Sequence, residues 1–264
     1  MTYLQFHFVF ILPLIAILGF LAWRDVQKGK LLAGNLGGSN QAALISIGIH
    51  LLLAMLYTTP WDNYLVYRNV WGYPEGRVLF TIGYVPFEEY LFFLFQTMIA
   101  ALCLFFLARR GNAVSFELSN GTRVRVFGAL VAFVGFIAGA TALSYPKGTY
   151  LGLILVWAMP VLMLQWGFGG DILLKRWRLV LAAVAIPTVY LWLADRYAIV
   201  RDGIWWINPE LTTGWHVMGL PIEEMLFFLM PNLFLVFGIT LGLHPLAFRR
   251  ARHYGKRVGL LKEA

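Results

Sequence analysis

The chain is short of charge, shorter still of acid, and almost without cysteine. Only 13% of its 264 residues are charged, and 13 acidic side chains stand against 21 basic ones. The single cysteine, Cys103, excludes an internal disulfide and a cysteine-based zinc cage, and reads as a small apolar helix residue. No His/Cys/Asp cluster has metal-ligand spacing, and no Gly-x-Gly-x-x-Gly run supplies a dinucleotide fingerprint. No Lys or Arg precedes Arg24, so the apolar run from Tyr3 to Trp23 lacks the basic start of a signal peptide and is long enough to span a bilayer. A formal charge of +8 would point to nucleic acid if it were clustered. The basic residues instead fall in short segments between apolar runs, so no nucleic-acid partner is expected.

What the chain has in excess is hydrocarbon. Hydrophobic residues make up 60% of it, and the mean hydropathy is +0.71. This is the composition of an integral membrane protein in contact with a lipid bilayer. The expected fold is all-α, with seven transmembrane helices near 3–23, 42–58, 86–108, 125–143, 149–168, 179–195 and 221–243. Pro13, Pro160, Pro187 and Pro231 lie in or beside these runs and are expected to kink them.

The loops set an orientation. Segments after odd-numbered spans, with the C-terminal tail, hold Arg24, Lys28, Lys30, Arg109, Arg110, Arg123, Arg125, Lys175, Arg176, Arg178, Arg249, Arg250, Arg252, Lys256, Arg257 and Lys262, which is 16 of the 21 basic residues. The other side holds Arg68, Arg77, Lys147, Arg196 and Arg201. The positive-inside rule predicts a multi-pass cell-membrane protein with the N-terminus outside and the C-terminus in the cytoplasm. The basic tail reads as a topology anchor that can also touch anionic lipid heads.

One nine-residue pattern is written twice. Pro86-Phe87-Glu88-Glu89-Tyr90-Leu91-Phe92-Phe93-Leu94 recurs as Pro221-Ile222-Glu223-Glu224-Met225-Leu226-Phe227-Phe228-Leu229, identical at seven of nine positions with an offset of 135 residues. Upstream, Asp62 with Tyr64 matches Asp195 with Tyr197, and Trp71 and Trp205 follow those aspartates by nine and ten residues. The chain is therefore expected to be one membrane domain built from two parallel three-helix repeats, about 3–108 and 149–243. The helix at about 125–143 would link them and restore the direction of the chain.

Proline at a helix start and glutamate in the first turn are ordinary helix-initiation chemistry. That accounts for one copy but not for two Glu-Glu pairs with the same Leu-Phe-Phe-Leu tail. Carboxylates beside a bilayer core are costly and mark functional sites. Glu88, Glu89, Glu223 and Glu224 are accordingly the candidate catalytic residues, with Asp62 and Asp195 beside them. Adjacent helix residues point about 100° apart, so the two members of a pair cannot face the same way. Phe92, Phe93, Phe227 and Phe228 supply aromatic faces for a lipophilic substrate. A helix N-terminus favours an anion by only ~0.3–1 kcal/mol, less than burial in an apolar site costs it. One carboxyl of a sealed cluster then keeps its proton and faces greasy space as a Brønsted acid. Its natural substrate is a membrane-soluble alkene, since protonation gives a carbocation that aromatic faces stabilise, and a neighbouring carboxylate can take up the proton later lost.

Other residues have plainer readings. His50 in span 2 is expected to be packed and hydrogen-bonded, His216 to be a loop residue, and Asn63 and Asn232 to make polar contacts. A retinal-binding protein would need a lysine in the last span, and Lys28, Lys30, Lys147, Lys175, Lys256 and Lys262 all lie elsewhere. A prenyltransferase would need Asp-rich Mg-diphosphate motifs, which isolated Asp62 and Asp195 do not make. A proton-coupled transporter is the rival from another class, although such proteins more usually carry inverted repeats and mid-membrane helix breaks.

The duplicated Pro-x-Glu-Glu, the matched aspartates and the seven-span plan resemble the non-flavin, heterodimer-type lycopene cyclases of carotenoid biosynthesis. The resemblance covers nearly the whole chain, with the two subunits of some bacterial versions fused in one chain as in archaeal and fungal ones. No phytoene synthase region, such as the fungal fusions carry, is expected. The resemblance implies an isomerase (intramolecular lyase) that turns lycopene through γ-carotene into β-carotene by protonation, ring closure and proton loss, with no net redox change and no cofactor. It carries over onto Glu88, Glu89, Glu223 and Glu224, with Asp62 and Asp195 second. A related end-group cyclase, making ε-rings or acting on longer carotenoids, stays open as an alternative. Beyond lycopene and the bilayer, the remaining partners expected are a second copy of the chain or other enzymes of the carotenoid pathway.

Overall fold

Among the described residues, seven helices are long and apolar enough to cross a membrane: α1 (Tyr3–Gln27), α2 (Asn40–Tyr67), α3 (Phe87–Ala108), α4 (Gly121–Ala142), α5 (Pro146–Lys175), α6 (Trp177–Asp202) and α7 (Ile222–Leu243). A shorter basic helix, α8 (Pro245–Arg257), follows. The computed structural model describes residues 1–111 and 121–257. Lys262 lies outside the described residues, as do the side chains of Lys256 and Arg257.

The two motif-bearing helices form the centre. In their apolar windows 67% of α3 and 61% of α7 is buried, against 17% of α2 and of α4. The outward faces of α2 and α4 show Leu52, Leu56, Phe127 and Val134, as contact with lipid rather than water requires. Across the centre, Phe92 of α3 meets Phe228 of α7 edge to face at 5.7 Å, and the Gln96 amide donates to the Phe228 carbonyl at 3.3 Å. Helix α4 lies on α5 through glycines: a Cβ at Gly128, Gly135 or Gly139 would run into Trp166, Met159 or Leu155. Small residues of this kind let membrane helices approach closely.

Several elements differ from the expected boundaries. Helix α2 continues nine residues past the expected end at 58, so Asp62, four residues beyond that end, is inside the helix. The extension is polar because Asp62 is buried and the Asn63 amide bonds the Tyr84 N–H and the Thr59 carbonyl. Those groups face protein, which a hydropathy window does not register. Helix α6 likewise runs past Asp195 and ends in a π-turn over Tyr197–Asp202. In α5 the break in helical geometry is at Gly169 (φ −147°, ψ 22°) and not at Pro160. Near Pro13 the irregularity is a π-turn over His7–Ile11; proline has no N–H to return to the Val9 carbonyl, and the chain widens just before it.

Short strands organise the end of the bundle that carries the glutamates. They are β1 (Trp71–Gly72), β2 (Thr81–Ile82), β3 (Val85–Pro86), β4 (Trp206–Ile207), β5 (His216–Val217) and β6 (Leu220–Pro221). Strands β2 and β3 make a hairpin with Thr81 opposite Pro86. Strands β5 and β6 make another with His216 opposite Pro221, at the same 135-residue offset as the motif. Gly83 (φ 67°) and Gly219 (φ 85°) turn the two hairpins, in a left-handed region that costs glycine little. Strand β1 pairs antiparallel with β4 and joins the two long loops.

Buried ion pairs hold the opposite end. Asp25 accepts from Arg109 at 3.0 Å and Arg110 at 3.1 Å, and Asp171 accepts from Arg250 at 2.8 Å. Some of the basic residues that bias the loops are therefore also structural pins.

Candidate functional site: a carboxyl cluster in an aromatic cavity

Each hairpin delivers its motif to the first turn of a helix. Pro86 and Pro221 take extended ψ values of 148° and 142° as N-caps, one residue outside the helix rather than at its first position. The first helical N–H of each is satisfied by its own hairpin segment: Phe87 donates to the Phe80 carbonyl at 2.9 Å and Ile222 to that of Trp215 at 3.0 Å. The two glutamates that follow then diverge, as helix geometry requires.

The first glutamate of each pair turns back to the loop. Glu88 Oε1 accepts from the Leu79 N–H at 2.9 Å. Glu223 Oε1 accepts from the N–H and hydroxyl of Thr213 at 2.7 and 2.8 Å. These carboxylates fasten the loop segment ahead of each hairpin to the helix it feeds.

The second glutamate of each pair turns inward. Glu89 Oε2 accepts from the Tyr3 hydroxyl at 2.5 Å and the Tyr73 hydroxyl at 3.1 Å. Glu224 Oε1 accepts from the Tyr150 hydroxyl at 2.6 Å. Tyr3 opens α1, and Tyr150 is near the start of α5. Tyr73 sits in the loop after α2; burial and the neighbouring Glu89 push its hydroxyl well above the usual tyrosine range, so it stays a donor.

The aspartates complete the cluster. Asp62 is fully buried, and neither of its oxygens has a hydrogen-bond partner among the described residues. Asp195 accepts from Trp205 Nε1 at 3.0 Å through one oxygen, and its other has no partner among the described residues. Both aspartates are within electrostatic reach of Glu89 and Glu224. Glu89, Glu224 and Asp195 line one cavity with Tyr3, Trp71, Tyr150, Phe92, Phe227 and Phe228. Its free volume is about 30 Å³, room for about one water molecule. Buried carboxyls with open valences beside aromatic faces can hold and exchange a proton in a place that excludes bulk water.

The expected site residues are thus sorted by the fold. Glu89, Glu224, Asp62 and Asp195 converge; Glu88 and Glu223, in the same first helical turns, face the loops instead. Phe92, Phe227 and Phe228 line the carboxyl cavity, whereas Phe93 lines an adjoining space that it shares with Phe227. His50 bonds the Ser46 carbonyl at 2.7 Å, His216 bonds the Gly214 carbonyl on the surface, and Asn232 donates to Thr188 at 2.8 Å. Sequence reasoning passed over Tyr3, Tyr150 and His7. Tyr3 is the first residue of α1 and Tyr150 the fifth of α5, but an interfacial tyrosine is too common to single out. His7 Nε2 donates to the Glu88 carbonyl at 2.9 Å, since a carbonyl can only accept.

Comparison with known proteins gives the same direction. Residues 147–242 match the family model described as lycopene cyclase. The chain is 44% identical over 202 residues to a lycopene beta-cyclase of Halobacterium salinarum, covering 76% of this chain and 84% of that one. It is 36% identical over 250 residues to a bifunctional lycopene cyclase/phytoene synthase of Phycomyces blakesleeanus, covering 90% of this chain and 38% of the fungal protein. A similar protein of Sporisorium reilianum is 35% identical over 246 residues, 89% of this chain and 34% of that one. No solved structure matches. With most of the halobacterial protein covered at this identity, the chain belongs to the lycopene cyclase family of carotenoid biosynthesis.

Proposed function

We propose that the protein is a lycopene β-cyclase whose reagent is a proton held among Glu89, Glu224, Asp62 and Asp195. The carboxyl O–H bond breaks and a C–H bond forms at the terminal double bond of an end group. The electron pair of the internal double bond closes the six-membered ring onto the resulting cation. A ring C–H bond then gives its electrons to the new ring double bond, and a carboxylate of the cluster takes the proton. Atoms and electrons balance without an oxidant or reductant. Repetition at the other end carries lycopene through γ-carotene to β-carotene. Phe92, Phe227 and Phe228 offer their faces to the cation. Glu88 and Glu223 act as positioning residues that hold the loops in place.

The observation that carries this reading is the meeting of the two repeated motifs. Glu89 and Glu224, an offset of 135 residues apart, line one aromatic cavity, each held by a tyrosine from the first helix of its own half. It supports a single pocket shared by two parallel halves. The loop charge bias supports a cavity at the outer face of the cell membrane, with the C-terminus in the cytoplasm. Expression in lycopene-accumulating cells should turn the pigment from red to orange-yellow, with β-carotene resolved from its ε-ring isomers by chromatography. Unchanged lycopene in cells that contain the folded, membrane-inserted protein would contradict the proposal.

A further inference from the structure

The carboxyl cavity, at about 30 Å³, is far below the few hundred Å³ of a typical ligand site. A larger space adjoins it. Helices α2, α3, α5 and α7 enclose about 240 Å³, walled by Leu53, Tyr57, Phe93, Trp157, Phe227 and Phe234. Phe227 borders both spaces. Trp61 lies between, stacked on Trp157 at 4.4 Å and on Phe227 at 6.0 Å.

The space lies beside α2. It follows that helix from His50 to Thr58, and twelve residues from His50 to Asp62 rise about 18 Å. The groove therefore begins near the middle of the helix and points at the carboxyl cluster. Its lining is apolar and aromatic for most of that length. At the inner end Gln165 donates to the Phe234 carbonyl at 2.9 Å, and its own Oε1 is buried without a partner among the described residues. Leu53 and Tyr57 are 52% and 42% exposed on the rim, which on a helix facing lipid opens the groove to the acyl region of the bilayer. Toward the carboxyl cluster the Tyr57 hydroxyl bonds the Trp157 carbonyl at 2.8 Å, and the Trp61 indole, one turn further along α2, bonds the Leu153 carbonyl at 3.0 Å.

We infer that this groove binds the polyene body of the carotenoid, which enters sideways from the bilayer past Leu53 and Tyr57 and points one end at Phe227 and the carboxyl cavity. The inference rests on the cyclase reading. A stiff conjugated chain suits the site better than a lipid acyl chain for two reasons. Flat aromatic walls, with Tyr57 and Trp157 nearly parallel at 5.7 Å, match a flat conjugated ligand. The groove also shares the wall residue Phe227 with the cavity where an end group must react.

Ala54 and Val161 line the groove from α2 and α5 and lie outside the carboxyl cluster. In lipid nanodiscs, Ala54→Phe and Val161→Phe should each lower kcat/KM for lycopene by at least about tenfold. Turnover of a truncated acyclic polyene with the same end group should change less than about twofold. An equal loss for both substrates would locate the damage in the carboxyl site and overturn the inference, and no loss for either would leave the groove to lipid and overturn it too. A second measurement does not depend on turnover. Lycopene retained by Glu224→Gln protein through size exclusion, read by polyene absorbance, should fall when Ala54→Phe is added; unchanged retention would overturn the groove assignment. Retention that falls as expected in a wild-type protein that never forms rings would instead remove the cyclase reading and keep the groove.

Discussion

Glu224→Gln is expected to slow ring formation by about 10²–10⁴-fold, the range that a positioned general acid or base supplies, and Glu89→Gln should fall in the same range. The substitution is nearly isosteric. Its carbonyl oxygen can still accept the Tyr150 hydroxyl that Glu224 accepts at 2.6 Å, so the local fold has no reason to change. What is lost is a carboxyl able to give or receive a proton. The contrast with the preceding residue is the informative part. Glu223 uses Oε1 to hold Thr213, and a glutamine retains that acceptor. Glu223→Gln should therefore keep activity within about tenfold of wild type, as loss of part of one hydrogen bond implies. Ring formation per mole of membrane-inserted protein measures both. If Glu223→Gln lost as much as Glu224→Gln, the division between a loop tether and a proton donor would be wrong.

Asp62→Asn should separate activity from stability. Asp62 is fully buried with both oxygens unpartnered among the described residues. An uncompensated carboxyl in an apolar interior is a liability to folding, and such strain persists where function requires it. The amide variant removes the ionisable group, so cyclisation should fall by about 10²-fold or more, while the thermal midpoint in detergent stays the same or rises. Asp195→Asn should gain less, because Trp205 already satisfies one Asp195 oxygen at 3.0 Å. A fall in both activity and midpoint for Asp62→Asn would make the residue a structural one.

The seven spans and the motif pairs were legible because hydropathy and repetition are properties of sequence alone. The seven helices stand where the apolar runs predict them, and family membership agrees with the resemblance carried by the two motifs. The site was legible only in part. Helix geometry requires Glu88 and Glu89 to diverge, but which one faces inward depends on how α3 is rotated against α1, α6 and α7, which no local pattern states. Asp62 falls outside the expected span 42–58 because an apolar run reports lipid-facing residues, and α2 continues on residues that face protein. The kink at Gly169 rather than Pro160 reflects neighbours: Gly169 lies so close to Leu241 that a Cβ would not fit. Tyr3 and Tyr150 were hidden by the abundance of interfacial aromatics, and their pairing with the glutamates spans 86 and 74 residues.

The most direct measurement is a single turnover in heavy water. Protein equilibrated in D₂O, in excess over lycopene and without added nicotinamide or flavin, should yield cyclised product whose first ring carries one deuterium, read by mass spectrometry. That deuterium enters from the exchanged carboxyl cluster at the carbon that was protonated, and the proton lost comes from a different carbon of the substrate. Glu89→Gln/Glu224→Gln protein should yield neither ring nor label. Cyclised product without deuterium, or cyclisation that requires an added electron carrier, would contradict proton-initiated ring closure by this carboxyl cluster.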